Sequence, residues 1–384
     1  MSQRVADALV VNGQTLTTKA EWNAELEAKH VKIVEWMRAQ QLSGVLIRRN
    51  ENVAWLTGGA VELRVLTPCE TGVAALLVTA EGRRYYFTTE NEAPRLHDEE
   101  FGKLDFEAVT FPWFGDETNR AAAKLAGGPV GSDTGGDGMT PVNLAALRAS
   151  LMESEKVRYR WLGAGVSAAT VESLHQVEPG MSEFDLEALT AANLLKRGIL
   201  PSVYLYAVDE RIYKYKHAVA RGARLKNYAM LNLCARKWGL AISITRFIHF
   251  GKPPAELEAR FRGAAEVNAA LLHASRVGAT GAQLFKVAAD AYSELGFPGE
   301  ERFHHQGGPT GYWEREWVAT PKGAETVADN QAFAWNPSIR GGKAEDTVIV
   351  SAGEVEWLTA TPELPVIEAS VQGKVYPAAG VLVK

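Results

Sequence analysis

The stretch that decides the fold is YAMLNLCARKWGLAISITRFIHFG, residues 228–251. Two hydrophobic runs flank a short turn, which is the pattern of two strands joined as a β-hairpin. The second run contains the tripeptide Ile-Thr-Arg at residues 244–246, with Ser243 just before it. Asn232 stands eleven residues before Ser243, in the first run. We therefore predict a hairpin that carries Asn232 and Ser243 as uncharged polar residues among apolar neighbours.

Composition sets the broad class of protein. At 384 residues the chain can form two domains with a large buried core. No apolar run approaches the roughly 20 residues of a membrane span, and the N-terminal residues do not resemble a signal peptide. The net charge of −5 provides no basic surface for nucleic acid. Two cysteines, Cys69 and Cys234, make no disulfide framework, so we predict a cytoplasmic protein with neither membrane nor nucleic-acid partners.

The first third of the chain alternates strand-like and helix-like segments, which predicts an α/β domain over residues 1–152. Thr18 is the expected N-cap of the first helix. The predicted helices cover residues 18–41, 90–100, 117–125 and 143–152. The predicted strands cover residues 45–48, 72–79 and 84–88.

The remaining residues, 153–384, form the second predicted domain, and they pair helices with antiparallel strands twice over. Ser182 and Asp185 have the spacing of a capping box at the start of one helix. The predicted helices cover residues 155–176, 182–196, 255–276 and 282–295. Strands are predicted at 202–208, in the hairpin, at 331–335 and in KAEDTVIV, residues 343–350. The whole chain is therefore predicted to have an α+β fold.

Several short motifs occur in the order and approximate spacing of one known family. They are HVKIVEWMRAQQLSGVLIRRNENVAWLTGG (residues 30–59), the Ile-Thr-Arg hairpin, the His-x-x-Gly of residues 305–308, the turn at Asn336 and the Glu345-Asp-Thr strand. Together they resemble the creatinase, prolidase, aminopeptidase P and methionine aminopeptidase family. The resemblance implies a pita-bread domain, a pseudo-twofold antiparallel sheet with helices, behind a smaller α/β creatinase-like domain.

The resemblance also implies where a pair of divalent ions would be bound in the family. The corresponding positions here are Asn232, Ser243, His305, Asn336 and Glu345, so one carboxylate and one imidazole remain of four carboxylates and one imidazole. Hard divalent ions need charged oxygen ligands. Because three of the four carboxylates are missing from these positions, we predict that the protein has no dinuclear metal site and no cofactor. A single weakly held ion on His305, Glu345 and the Asn232 amide oxygen is the alternative.

Three residues are the predicted catalytic groups. His217 stands where creatinase has a histidine that acts as general acid and base without metal, and imidazole suits this role because its pKa lies near neutrality. Glu345 matches the glutamate that in creatinase binds the guanidinium-like part of the substrate. His305 would contact the substrate or donate a proton to the leaving group. The competing interpretations are a solvent-exposed His217, a structural Glu345 bonded to backbone or to Arg340, and an inert His305 imidazole left from a metal-bound ancestor.

Further residues are predicted to bind substrate. Arg64 resembles the creatinase arginine that binds the substrate carboxylate from the partner subunit, which would require a homodimer. Arg315 lies where family members place substrate contacts, and Tyr312 could donate to an oxyanion. The former ligand positions complete the predicted substrate-binding set: Asn232, Ser243 and Asn336. A solvated Arg64 and an aromatic packing role for Tyr312 are the alternatives.

Three functions from different classes are compatible with these residues. The leading hypothesis is a metal-independent, creatinase-like hydrolase of a C–N bond (amide, amidine or ureido) in a small carboxylated substrate. A second is a catalytically silent binding module, as in the pita-bread domain of a histone chaperone. A third is an Xaa-Pro-type metallopeptidase with a degenerate metal site. Metal analysis distinguishes the third from the first, and turnover distinguishes the first from the second.

Overall fold

The computed structural model describes residues 8–136 and 138–384. Two compact units divide the chain: one comprises the residues up to 148 together with 152–158, and the other comprises 149–151 and 159–384. Within the described residues, none of the helices combines the length and apolar character that a bilayer crossing requires.

The first unit is built on a mixed sheet with the strand order β6-β5-β4-β3-β7-β8. Its strands, with a small separate hairpin β1–β2, are β1 (Ala8–Val11), β2 (Gln14–Thr18), β3 (Gly44–Arg49), β4 (Thr71–Thr79), β5 (Arg84–Thr89), β6 (Glu107–Phe111), β7 (Val130–Ser132) and β8 (Thr140–Pro141). Its helices are α1 (Lys19–Ala39), α2 (Asn50–Leu56), α3 (Ala93–Arg95) and α4 (Thr118–Ala126). The predicted α/β character of this part is confirmed.

Two predicted helices of this unit are wrong in extent. Residues 143–152 contain only a single 3₁₀ turn, Ala145–Leu147. The Asn143 side chain accepts the backbone N–H of Ala145 at 2.9 Å, and this local bond competes with helix formation. The predicted helix over 90–100 is the short α3 followed by a π-helical segment, Leu96–Phe101.

The second unit contains two four-stranded sheets, ordered β20-β11-β10-β9 and β12-β13-β16-β17. Its helices are α5 (Glu153–Gln176, of which the first six residues belong to the first unit), α6 (Glu183–Leu195), α7 (Glu210–Lys214), α8 (Ala255–Ala274) and α9 (Gly281–Glu294). Its strands are β9 (Leu200–Val208), β10 (Tyr228–Lys237), β11 (Leu240–His249), β12 (Gly307–Thr310), β13 (Gln331–Trp335), β14 (Ser338–Ile339), β15 (Gly342–Lys343), β16 (Asp346–Ser351), β17 (Glu354–Trp357), β18 (Val366–Val371), β19 (Lys374–Ala379) and β20 (Val381–Val383).

Each four-stranded sheet has its own pair of helices. Leu174 of α5 and Leu186 of α6 pack in one apolar cluster with Leu231 of β10. In the second cluster, Leu271 of α8 packs with Phe333 of β13. The arrangement repeats once along the chain, so the predicted pita-bread architecture, with its two similar halves, is confirmed.

The strands of the hairpin β10–β11 are almost entirely buried, and their register brings the polar residues together. Trp238 and Gly239 form the two-residue turn with φ values of 54° and 77°, as a type I′ turn requires. Across the two strands Asn232 pairs with Thr245 and Cys234 pairs with Ser243. Alternate residues of a strand share a face, so these four side chains lie on one side of the hairpin.

The capping box of α6 provides a first test of stability. Ser182 accepts the N–H of Asp185, and Asp185 accepts the N–H of Ser182 at 2.7 Å. Replacing Ser182 with alanine should lower the free energy of unfolding by about 1 kcal/mol, because a helix N–H loses its partner. Ser293→Ala, on the exposed face of α9, is the control and should change stability by less than about 0.5 kcal/mol. Equal effects in urea unfolding would contradict the prediction.

Candidate active site

Five segments of the second unit supply the polar residues of the candidate site. The hairpin β10–β11 contributes Asn232, Ser243 and Thr245. Lys343 ends β15, and Glu345 stands just before β16. The remaining residues come from three connecting segments: His217 after α7, His304 and His305 before β12, and Arg315 after β12.

Glu345 is the centre of the hydrogen-bond network and is only 4% exposed. Its Oε2 accepts the Asn232 amide at 2.8 Å and the Thr245 hydroxyl at 2.5 Å. The Lys343 ammonium lies 2.8 Å from the same oxygen. Oε1 accepts Arg315 Nη2 at 2.9 Å. Three of these four donors share Oε2, whereas Arg315 alone donates to Oε1. Of the roughly four lone-pair positions of a carboxylate, one on Oε1 is therefore left.

The charge of Glu345 is balanced by two cations of the chain itself. Burial alone would raise the pKa of this carboxyl, but Lys343 and Arg315 outweigh burial and hold the pKa at about 2. Glu345 is therefore ionised at neutral pH, and its single charge faces two positive side chains. These three groups together carry a net charge of +1.

Arg315 is held in one orientation by several acceptors. Its Nη1 donates to the Ser243 hydroxyl at 2.9 Å and to the Glu314 carbonyl at 2.5 Å. Nη2 donates to Glu345. Nε is buried and has no hydrogen-bond partner in the structure. A guanidinium fixed in this way is preorganised, with one N–H still available to a ligand.

The three histidines 217, 304 and 305 form a compact cluster. The Nε2 atoms of His217 and His304 are 2.9 Å apart. The rings of His304 and His305 are stacked, with centroids 4.5 Å apart and planes inclined by 23°. His304 is 8% exposed, whereas His217 lies at the surface. The structure therefore brings His217 and His305 together, and adds His304, which was not among the predicted site residues.

All three imidazoles are neutral at physiological pH. Burial, followed by the charge of Lys343, lowers the pKa of His304 to about 2. Burial and then Arg315 lower the pKa of His305 to about 4. The pKa of His217 is lowered as well, by partial burial and then by Lys343, with Glu345 opposing. A neutral imidazole can accept a proton, which is what a general base needs.

Asn336 and Tyr312, two further residues predicted to bind substrate, are both buried. Asn336 is 3% exposed, and its Oδ1 is buried without a hydrogen-bond partner, about 3.0 Å from where a Cβ on Gly307 would lie. Tyr312 is fully buried after β12, in a segment where Gly311 accepts the N–H of Ala241. The structure thus places Asn336 beside the segment that carries His305, and it buries Tyr312 completely.

Arg64 belongs to the first unit, in the loop before β4. Its Nη1 lies 3.2 Å from Glu62 Oε2, and its side chain is 9% exposed. The alternative of a solvated Arg64 therefore does not match the structure. Its role in substrate binding stays a prediction.

Three residues of the site were absent from the predicted set: Lys343, Thr245 and His304. Lys343 appeared only as the first residue of the predicted KAEDTVIV strand, and Thr245 only as the middle residue of the Ile-Thr-Arg tripeptide. Lys343 could have been found from the sequence, because it stands two residues before Glu345 on a predicted strand. Side chains two residues apart in a strand point to the same side. Nothing in the sequence indicates the second cation, Arg315, as a partner of Glu345.

The fold and these landmarks define a pita-bread protein of the creatinase and prolidase type. A family model described as metallopeptidase family M24 matches residues 160–352, and the creatinase/prolidase N-terminal domain model matches residues 29–158. The chain therefore belongs to metallopeptidase family M24 and carries a creatinase/prolidase N-terminal domain. A search of curated proteins found no match.

Solved structures show the same fold at low sequence identity. Dipeptidase PepE from Mycobacterium ulcerans superimposes with a TM-score of 0.72 at 17% identity, covering 88% of this chain and 96% of that one. The prolidase of Pyrococcus horikoshii gives 0.72 at 19% identity, covering 87% and 98%. The N-terminal domain of the FACT complex subunit SPT16 from chickpea, Cicer arietinum, gives 0.65 at 12% identity, covering 88% and 97%.

The residues of this chain do not fit the pair of divalent ions that the family implies. The one carboxylate at the five ligand positions, Glu345, is already bound on both oxygens by Lys343 and Arg315. The Ser243 hydroxyl accepts a bond from Arg315, and the Asn232 amide nitrogen donates to Glu345. Two ions placed here would lie against two fixed cations, and close like charges repel strongly in a poorly hydrated site.

Proposed function

We propose that this protein is a metal-independent hydrolase of a C–N bond, of the amide, amidine or ureido type, in a small carboxylated substrate. Membership of a hydrolase family supports the reaction class. One observation carries the metal-independent part: the only carboxylate among the ligand positions is neutralised by Lys343 and Arg315. Next to it lie three neutral imidazoles, which can move protons without a metal.

His217 is the proposed general base and acid. Its neutral ring accepts a proton from water while the water oxygen attacks the electrophilic carbon. The C–N bond then breaks, and the imidazolium returns the proton to the leaving nitrogen. His304, whose Nε2 lies 2.9 Å from that of His217, orients the ring. The His305 ring stacks on the His304 ring. His305 is the proposed contact to the leaving group.

Arg315 and Asn336 are the proposed substrate contacts. Arg315 offers its unpartnered Nε–H and its charge to a carboxylate or to the oxyanion that forms during attack. Asn336 offers a buried, unpartnered Oδ1 to a substrate N–H group. Ser243 and Asn232 orient Arg315 and Glu345. Glu345 holds the two cations in place, and its Oε1, which accepts only Arg315, can also accept a substrate N–H group.

The expected homodimer and cytoplasmic location are part of the same proposal. Arg64 would bind the substrate carboxylate, either in its own subunit or in the site of a partner, as the creatinase resemblance implies. Tyr312 would reach a substrate oxyanion only if the segment after β12 moved, because its side chain is fully buried.

The second candidate function is a silent binding module. The observation that favours it is the set of contacts around Glu345, because the chain's own side chains already engage both oxygens of this carboxylate without any substrate. The likeness to the N-terminal domain of SPT16 supports only the shared fold. This interpretation predicts peptide binding without turnover, whereas the leading proposal predicts turnover.

The decisive experiment combines a substrate panel with removal of metal. Xaa-Pro dipeptides, N-carbamoyl amino acids and guanidino carboxylates would be assayed before and after dialysis against EDTA. We expect activity on a carbamoyl or guanidino compound, unchanged by chelation, and less than about 0.1 equivalent of bound metal by elemental analysis, because the site lacks the anionic ligands of a resident ion.

The competing outcomes are distinct. Activity confined to Xaa-Pro dipeptides that disappears with EDTA, together with about two equivalents of Mn, Co or Zn, would establish the metallopeptidase alternative. Peptide binding without hydrolysis of any compound in the panel would establish the silent module.

A further inference from the structure

We propose that His217, His304 and His305 together form a binding site for one borderline divalent cation such as Zn²⁺ or Cu²⁺. We further propose that this ion inhibits the enzyme, because it takes the lone pair with which His217 accepts a proton. The inhibitory half rests on the proposed function, whereas the binding half stands on geometry alone. The ligand set shares only His305 with the positions at which the family resemblance places a metal pair.

The geometry of the cluster is close to that of a three-histidine site. One ring nitrogen from each residue can be chosen so that all three lie within 4.8 Å of one another. In a tetrahedral zinc site with N–Zn distances of about 2.0–2.1 Å, ligand nitrogens are about 3.3 Å apart. The 2.9 Å between the Nε2 atoms of His217 and His304 is already near that value, and the separations from His305 would have to shorten by up to about 1.5 Å to complete the triangle.

The contact between His217 and His304 also indicates a ligand. His304 is more than nine-tenths buried, and its Nδ1 has no hydrogen-bond partner in the structure, so that nitrogen can carry the ring proton while Nε2 acts as a ligand. In the contact between His217 and His304, one Nε2 must donate and the other accept. An ion held by both rings would replace this single proton and bind both nitrogens through their lone pairs.

The chemistry of the ligands selects the type of ion. Imidazole nitrogen suits Zn²⁺, Cu²⁺ and Ni²⁺, while Mn²⁺ and Mg²⁺ prefer oxygen ligands. The nearest carboxylate, Glu345, is committed to Lys343 and Arg315, so the cluster offers nitrogen only. The site should therefore discriminate against the hard ions that oxygen-rich dinuclear sites bind.

The surroundings make binding reversible rather than permanent. Lys343 and Arg315 are both close enough to disfavour positive charge on the histidines, and they should repel a divalent ion as well. His305 would also exchange the 3.2 Å bond that its Nδ1 accepts from Gly307 N–H if that atom became the ligand. An ion in this site is thus expected to respond to its free concentration, as a regulator does.

The binding half is tested on the metal-free full-length protein with Zn²⁺ by calorimetry and with Cu²⁺ by its visible absorption. We expect one equivalent to bind. His304→Gln and His305→Gln should each weaken binding by more than about tenfold, since a ligand is lost. His175→Gln, at an exposed position near the end of α5, is the matched control and should bind as the parent does. Equal affinity for Mn²⁺ and Zn²⁺, or unchanged binding in the His304 and His305 variants, would overturn the site.

The inhibitory half is tested by turnover at increasing Zn²⁺. We expect inhibition with a midpoint that matches the calorimetric affinity and full recovery after EDTA. Activation by Zn²⁺, or inhibition that persists in His305→Gln at the same midpoint, would overturn it. If the protein turns over substrate but does not bind Zn²⁺, the proposed function is retained and the metal site is rejected. If it binds Zn²⁺ but turns over no substrate, both the inhibitory role and the hydrolase function are rejected.

Discussion

Replacing His217 with alanine is expected to reduce kcat by a factor of about 10² to 10⁴, the range that general acid–base catalysis contributes. The neutral ring of His217 is the proposed acceptor of the proton from water, and alanine offers no such atom. KM should change little, because the proposed substrate contacts are Arg315 and Asn336. The measurement is steady-state kinetics on the best compound from the substrate panel.

His175→Ala is the matched control, because His175 is an exposed histidine that belongs to no part of the cluster. Its kcat should equal that of the parent protein. Both variants should keep the parent circular dichroism spectrum and melting temperature, since surface substitutions usually change stability by less than about 0.5 kcal/mol. A His217→Ala variant with parental kcat would remove this residue from the mechanism.

The second large effect concerns stability. Glu345→Ala is expected to lower the free energy of unfolding by about 3–5 kcal/mol, because removing one member of a buried ion pair leaves the others uncompensated. Lys343 and Arg315 would both lose the carboxylate that holds them. The Asn232 amide and the Thr245 hydroxyl would also lose their shared acceptor. Chemical unfolding followed by fluorescence measures the loss.

Two comparisons make this result specific. Glu256→Ala removes an exposed carboxylate that pairs with Arg260, and exposed pairs contribute little, so its stability should stay near that of the parent. The double variant Glu345→Ala with Lys343→Met should be more stable than Glu345→Ala alone, because one unpaired buried cation is gone. If the double variant were less stable than the single one, the charge argument would be wrong.

The lowered pKa of Glu345 predicts that the free energy of unfolding decreases in acid. Glu345 has a pKa of about 2 in the folded protein against an ordinary value of 4.5. A pKa depressed by folding contributes stability that is present above pH 4.5 and is lost as the pH falls toward 2. The separation of these two values corresponds to about 3 kcal/mol. Urea unfolding between pH 7 and pH 3 should show about two thirds of this loss, and Glu345→Gln should make stability depend less on pH below pH 4.5.

Much of the fold could be predicted from the sequence because its signals are local. The capping boxes at Thr18 and Ser182 occur where the helices begin, since such caps involve residues only three apart. The hairpin over 228–251 is recognisable from two apolar runs. The helix predicted over 143–152 is wrong because one side-chain bond of Asn143 changes the local backbone in a way that apolar periodicity does not reveal.

The candidate site was only partly predictable. The residue types at the former ligand positions can be read directly, so the loss of three carboxylates was visible. The partners of the remaining carboxylate were not, because Arg315 is thirty residues from Glu345 in the chain and approaches it from another segment. His304 was missing from the predicted site for the same reason, since its contact with His217 joins residues 87 positions apart.

By itself the sequence determined the family, the order of the elements and the absence of the charges that a dinuclear metal site needs. Those properties depend on residue type and on short-range spacing. Only the tertiary structure decided that Lys343 and Arg315 neutralise Glu345 and that three histidines meet. Such contacts depend on where distant segments place their side chains, and at a few ångströms those distances determine charge, proton affinity and ligand choice.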